Sequence, residues 1–283
     1  MHKAKYWETA GNGISCNLCP HHCHIANDRT GRCRVRQNKN GELLSLNYGE
    51  IASIALDPIE KKPLFHFYPG KMILSAGTWG CNFHCSFCQN WELAHGNPTA
   101  VYTNPERLAE LAVQQGPKNI GIAYTYSEPV VWFEYVVDTA IAVKRRGLKN
   151  VLVTNGFISP EPLEELLPLI DAMNIDVKAF RAPFYQEVCK GELEAVKRTV
   201  ETAARSCHVE VTTLVIPGLN DGEDEILDLA RWIASISPKI PLHFSRYFPR
   251  YQMEQPSTPS ETLFQIRDLA RQELENVYLG NIG

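Results

Sequence analysis

The strongest constraint on the fold is a series of short apolar segments that alternate with helical patterns from Lys71 onward. Each segment is rich in Val, Ile or Leu, as expected of a strand that is covered on both faces. The six predicted strands lie near residues 72–77, 119–124, 150–154, 172–177, 208–216 and 241–247. Six strand–helix units predict an α/β fold with a parallel sheet and right-handed crossovers.

Six units are too few to close an eight-stranded barrel. Periodicity alone leaves an open doubly wound sheet and a partial barrel as alternatives. A final short strand is expected at residues 277–279. Three regions are predicted: a Cys-rich metal-binding segment at 1–40, a β-hairpin and linker at 41–70, and the α/β domain at 71–283.

The hairpin prediction rests on two apolar stretches in the middle region. Leu44 and Leu46 alternate with polar residues, and a second stretch covers 51–56. The charged residues that follow are expected on a solvated face rather than in a site. They are Asp57, Glu60, Lys61 and Lys62.

Three cysteines, Cys81, Cys85 and Cys88, follow the first predicted strand with the spacing C-x3-C-x2-C. Three thiolates within eight residues can converge on one soft metal centre. An iron–sulfur cube normally takes four cysteines, so three would leave one iron open to a non-protein ligand. The alternatives are a zinc knuckle that lacks its fourth ligand, or chance clustering.

A second group of cysteines has the spacing C-x2-C-x3-C-x9-C and comprises Cys16, Cys19, Cys23 and Cys33. Few apolar residues accompany it, so a metal would have to organise the segment. Four thiolates complete either a zinc site or an auxiliary iron–sulfur cluster, and both remain open. Three nearby histidines are alternative ligands or solvated loop residues: His21, His22 and His24. Cys189 and Cys207 are expected to be buried free thiols.

The composition limits which compartment and which classes of partner fit this chain. The 283 residues carry a net charge of −4, which gives no general electrostatic case for binding nucleic acid or membrane. No apolar run approaches the ~20 residues that span a bilayer, and the N-terminus lacks the apolar core of a signal peptide. Nine cysteines, odd in number and tightly clustered, fit metal ligation in a reducing cytoplasm.

Polar residues stand at the carboxyl ends of the predicted strands, where parallel α/β folds place their sites. Asp176 and Lys178 are two residues apart on a strand and therefore point to the same side, as a site or as an internal ion pair. Glu128 can accept a bond from an ammonium group or serve as a helix N-terminal charge. Asn155 and Gly156 read equally as a turn, and His243 as a core histidine.

The cysteine spacing, with the aromatic Phe87 before the last cysteine, resembles the radical S-adenosylmethionine superfamily. Cys88-Gln-Asn resembles the branch that contains the activating enzymes of glycyl-radical proteins. Four blocks together resemble the AmmeMemoRadiSam-system radical enzymes, often labelled pyruvate formate-lyase activating enzyme homologs: 16–36, 66–70, 81–90 and 124–129. The resemblance implies a partial (β/α)6 TIM-like barrel with a small Cys-rich N-terminal segment.

This resemblance implies a radical enzyme. Cys81, Cys85 and Cys88 would hold a [4Fe-4S] cluster whose open iron binds S-adenosylmethionine. One electron would then release a 5′-deoxyadenosyl radical that abstracts hydrogen. The implied cofactor contacts are Phe87, Tyr126, Ser127, Glu128, Thr154, Asn155, Asp176, Lys178 and His243. Tyr126 and Ser127 stand where the family has two glycines, and Val153 stands where related activases have an acidic residue.

The resemblance also implies partners. An electron donor such as flavodoxin or ferredoxin is expected, together with a protein substrate or a Memo-type or AMMECR-type protein. Radical modification of another substrate, such as RNA or a peptide, is the second hypothesis. A non-catalytic iron–sulfur or zinc scaffold for partner proteins is the third.

Overall fold

The computed structural model describes residues 2–282, and its N-terminal part consists of small antiparallel sheets. Its strands are β1 (His2–Lys3), β2 (Trp7–Ala10), β3 (Gly13–Cys16), β4 (His24–Ala26), β5 (Arg36–Lys39), β6 (Glu42–Ser45) and β7 (Glu50–Ile51). One sheet has the order β1-β6-β5 and another the order β2-β3-β4. Asn40 and Gly41 join β5 to β6, and both have positive φ, as a two-residue hairpin turn of type I′ requires.

The predicted hairpin within residues 41–70 is wrong, because its two stretches join different sheets. Leu44 lies in β6 and pairs with β5. The second stretch forms β8 (Ser53–Pro58), which pairs antiparallel with β9 (Met72–Gly77). The Asn40-Gly41 turn directs β6 back onto the preceding strand, and this leaves β8 to cover the edge of the main sheet.

The main sheet has eight strands in the order β16-β15-β14-β13-β12-β11-β9-β8, and every pairing except β8–β9 is parallel. Its further strands are β11 (Asn119–Tyr124), β12 (Lys149–Thr154), β13 (Ala172–Asp176), β14 (His208–Val215), β15 (Leu242–Arg246) and β16 (Val277–Gly280). The short β10 (Val101–Tyr102) pairs with β7 instead. The predicted α/β fold and its six parallel strands are confirmed, and β16 adds a seventh parallel strand at the edge.

Helices connect the parallel strands. They are α1 (Trp91–Ala94), α2 (Pro105–Gln114), α3 (Phe133–Arg145), α4 (Pro160–Leu166), α5 (Ala182–Phe184), α6 (Leu193–Ala203), α7 (Glu223–Ile236) and α8 (Ser260–Ala270). Short 3-10 turns cover Ile59–Lys61, Pro129–Trp132 and Leu167–Leu169, and one π-helical turn covers Tyr185–Cys189. Asn104 caps α2 by accepting a bond from the backbone N–H of Arg107. No helix within residues 2–282 is long and apolar enough to cross a membrane.

The segment after β8 fills the interior of the sheet, and we call residues 59–67 the floor segment. Its Ile59 and Leu64 pack in a fully buried apolar cluster with side chains of the strands. Asn174 of β13 donates to the carbonyl of Pro63, and Glu210 of β14 accepts from the floor segment's backbone. The opposite end of the sheet, where the parallel strands end, is left open for a site.

Candidate active site

A cavity of about 920 Å³, counted to its open mouth, lies where the parallel strands end. It is lined by the cysteine loop after β9 and by residues at the ends of β11 to β15. The predicted site residues that line it are Cys81, Cys85, Phe87, Cys88, Tyr126, Ser127, Glu128, Thr154, Asn155, Asp176 and Lys178. The fold therefore brings the three thiols and the polar strand ends into one space.

The three thiols of this cavity lie in a poorly solvated environment. Burial raises the pKa of Cys81 and raises that of Cys88 to about 11. A hydrogen bond with the buried thiol of Cys189 raises the pKa of Cys85. Metal coordination replaces the thiol proton, so a soft metal is the partner that would ionise these groups.

An asparagine pair fixes the cysteine loop to the end of β12. The Nδ2 of Asn155 donates to Oδ1 of Asn82 at 2.9 Å and lies 3.8 Å from Cys81 Sγ. Asn82 in turn donates to the carbonyl of Phe157 at 2.7 Å. No sequence motif assigned a separate role to Asn82, and its position directly after Cys81 was the available signal.

Glu128 is buried and accepts hydrogen bonds from three neutral donors. Its carboxylate accepts bonds from Thr154 Oγ1 at 2.6 Å, from the backbone N–H of Asn155 at 2.8 Å and from that of Val130 at 3.0 Å. Burial outweighs these bonds and raises the pKa of Glu128 to about 7. The bond from Val130 caps the 3-10 turn Pro129–Trp132, so the alternative capping role is present while the carboxylate also lines the cavity.

Asp176 and Lys178 form an ion pair at the cavity wall, with Nζ and Oδ2 2.7 Å apart. Both side chains retain some exposure, 28% and 17%, and both line the cavity. Burial disfavours the ammonium, but the adjacent carboxylate holds the pKa of Lys178 above its usual range. The pair is the internal ion pair of the alternative prediction, and it also presents its charges to the cavity.

Tyr126 contacts charged residues that were expected on a solvated face. It has a φ of 68°, in the left-handed region, and its hydroxyl donates to Asp57 Oδ2 at 2.7 Å. Lys62 Nζ lies 2.8 Å from the same carboxylate and 4.6 Å from the centre of the Tyr126 ring. Asp57 and Lys62 are only 4% and 3% exposed, so the expectation of a solvated face is wrong for both. It holds for Lys61, whose side chain is 66% exposed.

His243 does not line the cavity, so the prediction that it contacts the cofactor is wrong. Its Nε2 lies 2.6 Å from Oε2 of Glu210, and its ring packs edge-on against Phe65 of the floor segment. The side chain is nearly fully buried. On β15 it precedes the cavity-lining Ser245 by two residues, so it points inward but one layer below the mouth. The alternative of a core histidine is the correct one.

The N-terminal cysteines line a second, much smaller cavity. Cys16, Cys19, Cys23 and Cys33 all border it. Among residues 2–282, no three His, Cys, Asp or Glu side chains are arranged around a single metal-ion position. A second metal centre stays a prediction.

The remaining candidate ligands and thiols take different positions. His21 also borders the second cavity and bonds the carbonyl of Asn82 at 2.8 Å, whereas His22 and His24 are exposed. Cys189 is buried as expected, but Cys207 is only half-buried. The sequence had no means of placing Cys189 beside Cys85, 104 positions earlier in the chain.

Comparison with known proteins identifies the family. The sequence model of the radical S-adenosylmethionine (radical SAM) superfamily matches residues 77–230 of this chain. An uncharacterized protein of Methanocaldococcus jannaschii, MJ0808, is 42% identical over 290 residues, which cover 100% of this chain and 86% of that protein. The pyruvate formate-lyase 1-activating enzyme of Escherichia coli K12 is 25% identical over 154 residues, covering 51% of this chain and 61% of that enzyme.

Solved structures agree in fold. A domain of a pyruvate-formate lyase-activating enzyme from Bacteroides vulgatus superposes with a TM-score of 0.50 at 19% identity, covering 56% of this chain and 98% of that domain. Streptococcus suis SuiB bound to S-adenosylmethionine superposes with a TM-score of 0.58 at 14% identity, covering 72% of this chain and 50% of SuiB. At such identities these structures support the shared architecture alone.

Proposed function

Because this chain belongs to the radical SAM superfamily and is an enzyme, we propose that it cleaves S-adenosylmethionine reductively at the mouth of the sheet. Cys81, Cys85 and Cys88 would hold a [4Fe-4S] cluster there. The observation that carries the proposal is the single cavity that these thiols share with Glu128, Asp176 and Lys178.

The donor set fits such a cluster. Within the described residues that line the cavity, the thiols are these three, and soft thiolates are the ligands that iron–sulfur clusters take. A cube with three protein thiolates leaves one iron for the amino and carboxylate groups of the substrate. When bound, the cluster supplies one electron for breaking the S–C5′ bond.

Charged groups around the cavity complement a zwitterionic substrate. Glu128 would accept the substrate ammonium, and Lys178 would pair with its carboxylate. Asp176 holds the ammonium of Lys178 in place from 2.7 Å. Ser127 Oγ and Thr212 Oγ1 are buried at this cavity without a hydrogen-bond partner among residues 2–282, so both are free to bind a ligand. Thr154, Asn155, Tyr126 and Phe87 complete the proposed contacts.

The radical would abstract hydrogen from a glycine of a protein substrate, as an activating enzyme does. The support is the 25% identity to the pyruvate formate-lyase 1-activating enzyme. A one-electron donor of the flavodoxin or ferredoxin class would supply the reducing equivalent. Protein labelled with deuterated glycine tests this step, because the expected product is 5′-deoxyadenosine that carries deuterium. If a labelled protein stimulates cleavage but the 5′-deoxyadenosine formed carries no deuterium, the target is not a glycine.

The cleavage itself is tested by anaerobic reconstitution with iron and sulfide. With dithionite and S-adenosylmethionine, the wild-type chain should form 5′-deoxyadenosine, and C81A, C85A and C88A should each form none. C207A is the matched control and should retain the activity, since Cys207 lies outside the cavity. Product formation by the C81A/C85A/C88A variant would overturn the proposal.

A further inference from the structure

We propose that Cys16, Cys19, Cys23 and Cys33 hold a second iron–sulfur cluster, which passes electrons to the site at Cys81, Cys85 and Cys88. This inference rests on the proposed function, because it concerns the supply of the electron that cleavage consumes. It assigns a redox role to a segment that the sequence alone left open between zinc and iron.

The arrangement of the four thiols is that of a metal–thiolate centre. All four border one cavity, although they come from three separate strands and loops. Backbone N–H groups two residues downstream donate toward the sulfurs: Leu18 to Cys16, His21 to Cys19 and Val35 to Cys33. The three-thiol site has the same pattern, with the N–H of Phe83 3.3 Å from Cys81 Sγ. Such bonds stabilise negative charge on sulfur.

The arrangement of the thiols favours a cluster over a single ion. A zinc ion draws all four sulfurs to ~2.3 Å from one point, whereas a cube takes each thiolate at a different corner. Here the four thiols border one cavity, but no three of them within residues 2–282 are arranged around a single metal-ion position, which is the convergence that zinc requires. The gaps in the sequence agree, because Cys16–Cys23 has the x2 and x3 gaps of Cys81–Cys88 in reverse order.

A buried guanidinium with one unpaired N–H donor borders this cavity. Arg36 is 1% exposed, and it donates to Glu134 Oε1 at 2.7 Å and to the carbonyl of Lys5 at 3.0 Å. Its Nε has no hydrogen-bond partner among residues 2–282, although burial of an unpaired donor is costly. Glu134 already offsets the charge of Arg36, so what an iron–sulfur centre would add is a sulfur acceptor for the unpaired Nε donor.

The wall between the two thiol groups is one residue thick. Gly80 precedes Cys81 and has a φ of +89°, and a Cβ at this glycine would lie 2.7 Å from the carbonyl oxygen of Cys33. The two cysteine loops therefore touch backbone to backbone, at a position where only glycine fits. Asn82, on the other side of Cys81, borders the second cavity and binds His21.

A redox-active centre in this position could pass electrons to the adjacent three-thiol site, whereas zinc carries no electrons. One electron from a low-potential donor protein would enter at the four-cysteine site. It would pass by way of Cys33 and Gly80 to the site at Cys81, and from there to the sulfonium. The S–C5′ bond then breaks into methionine and a 5′-deoxyadenosyl radical, and the donor protein is oxidised by one electron.

The decisive experiment removes the three-thiol site and asks what the other cysteines bind. The C81A/C85A/C88A variant is reconstituted anaerobically with iron and sulfide in the presence of equimolar zinc. We expect about four irons and four sulfides per chain and a paramagnetic signal after reduction, against about eight of each for the wild type. Zinc without sulfide, or no metal, would overturn the inference.

This experiment separates failure of the inference from failure of the proposed function. If the wild type forms 5′-deoxyadenosine but the triple variant binds no iron, the proposed function stands and the relay is ruled out. If the triple variant binds iron but the wild type cleaves no S-adenosylmethionine, the second cluster stands, and both the proposed function and the relay that depends on it are ruled out.

The relay is tested with two reductants on the C16S/C33S variant. We expect about four irons per chain in this variant. It should form 5′-deoxyadenosine with dithionite, a small reductant, but not with reduced flavodoxin. C207S is the control and should respond to both as the wild type does. Undiminished turnover of C16S/C33S with flavodoxin would overturn the relay. If C16S/C33S does not fold, the metal content of C81A/C85A/C88A decides.

Discussion

Two buried glutamates, at opposite levels of the same sheet, have opposite pKa shifts. Glu128 at the mouth has its pKa raised to about 7, and Glu210 above the floor segment has its pKa lowered to about 2. Burial disfavours the charge of both, and each accepts two backbone N–H bonds. Glu210 also bonds His208 at 2.9 Å and His243 at 2.6 Å, whereas the remaining partner of Glu128 is the hydroxyl of Thr154.

The difference in pKa shift distinguishes a carboxylate that stabilises the fold from one that can bind a ligand. The floor site is complete, since Glu210 has partners for both oxygens and ties the floor segment to β14 and β15. The mouth site is electrostatically incomplete, because the carboxylate of Glu128 has no cation beside it among its hydrogen-bond partners. A cationic ligand would complete it, which supports the proposed contact with a substrate ammonium.

The largest effect is expected from E210Q. The amide cannot replace a carboxylate that accepts four bonds, and it leaves buried donors unpaired. We expect a loss of about 3 kcal/mol in the free energy of unfolding, measured with denaturant. The folded variant should keep wild-type affinity for S-adenosylmethionine.

The exposed E42Q is the matched control and should leave stability unchanged. Reduced affinity for S-adenosylmethionine in folded E210Q would break the comparison, because the floor would then act on the site.

E128Q should change binding more than stability. Loss of a charge-assisted bond to the substrate ammonium corresponds to about 2 kcal/mol, or roughly 30-fold in affinity. Equilibrium dialysis with the reconstituted enzyme measures this affinity. Above pH 7 two effects on stability oppose each other: the variant no longer buries an ionised carboxylate, but its amide group leaves a backbone N–H, that of Asn155 or Val130, unpaired. The net change in stability should therefore be smaller than that of E210Q. Unchanged affinity would remove Glu128 from the proposed contacts.

The two glutamates should respond to different ranges of pH. Affinity for S-adenosylmethionine should fall as the pH drops through about 7, where Glu128 becomes protonated, and E128Q should lack this response. The folded pKa of Glu210 is depressed, so its contribution to stability is fully present above the ordinary value of about 4.3. That contribution is lost as the pH falls toward about 2. Urea unfolding of the wild type and E210Q between these limits should show the two stabilities converging.

The smallest effect is expected from Y126F, which removes only the hydroxyl that binds Asp57. We expect about 1 kcal/mol, or roughly fivefold, in affinity for S-adenosylmethionine, because the left-handed backbone at Tyr126 loses one support. K61M is the control, since the exposed Lys61 also bonds Asp57 but does not contact the Tyr126 ring. Equal effects of Y126F and K61M would show that only the charge of Asp57 matters.

Much of the site was predictable because its residues follow from local rules. The three cysteines line one cavity as their spacing predicts, and Asp176 and Lys178 also line it as a period of two predicts, although Lys178 lies two residues beyond the end of β13. His243 obeys the same rule and points inward. Its level along β15, which decides between cavity and core, depends on the register with β14.

Two features had no local signal. The partner of β8 is β9 rather than β6, and strand pairing depends on which edges are free after the sheet has assembled. Asp57 and Lys62 resemble any charged surface run, but they are buried because β8 and the floor segment cover the interior beside Tyr126. Burial of charge depends on partners that are distant in the chain.

The sequence by itself determined the succession of strands along the chain, the composition of both cysteine groups and the polar character of the strand ends. All three depend on contiguous or periodic residues. Only the tertiary structure decided that Gly80 brings the two cysteine groups into contact, and that one buried glutamate is satisfied while the other awaits a cation. Electrostatics and close packing act between residues that are near in space, and the chain order does not specify those distances.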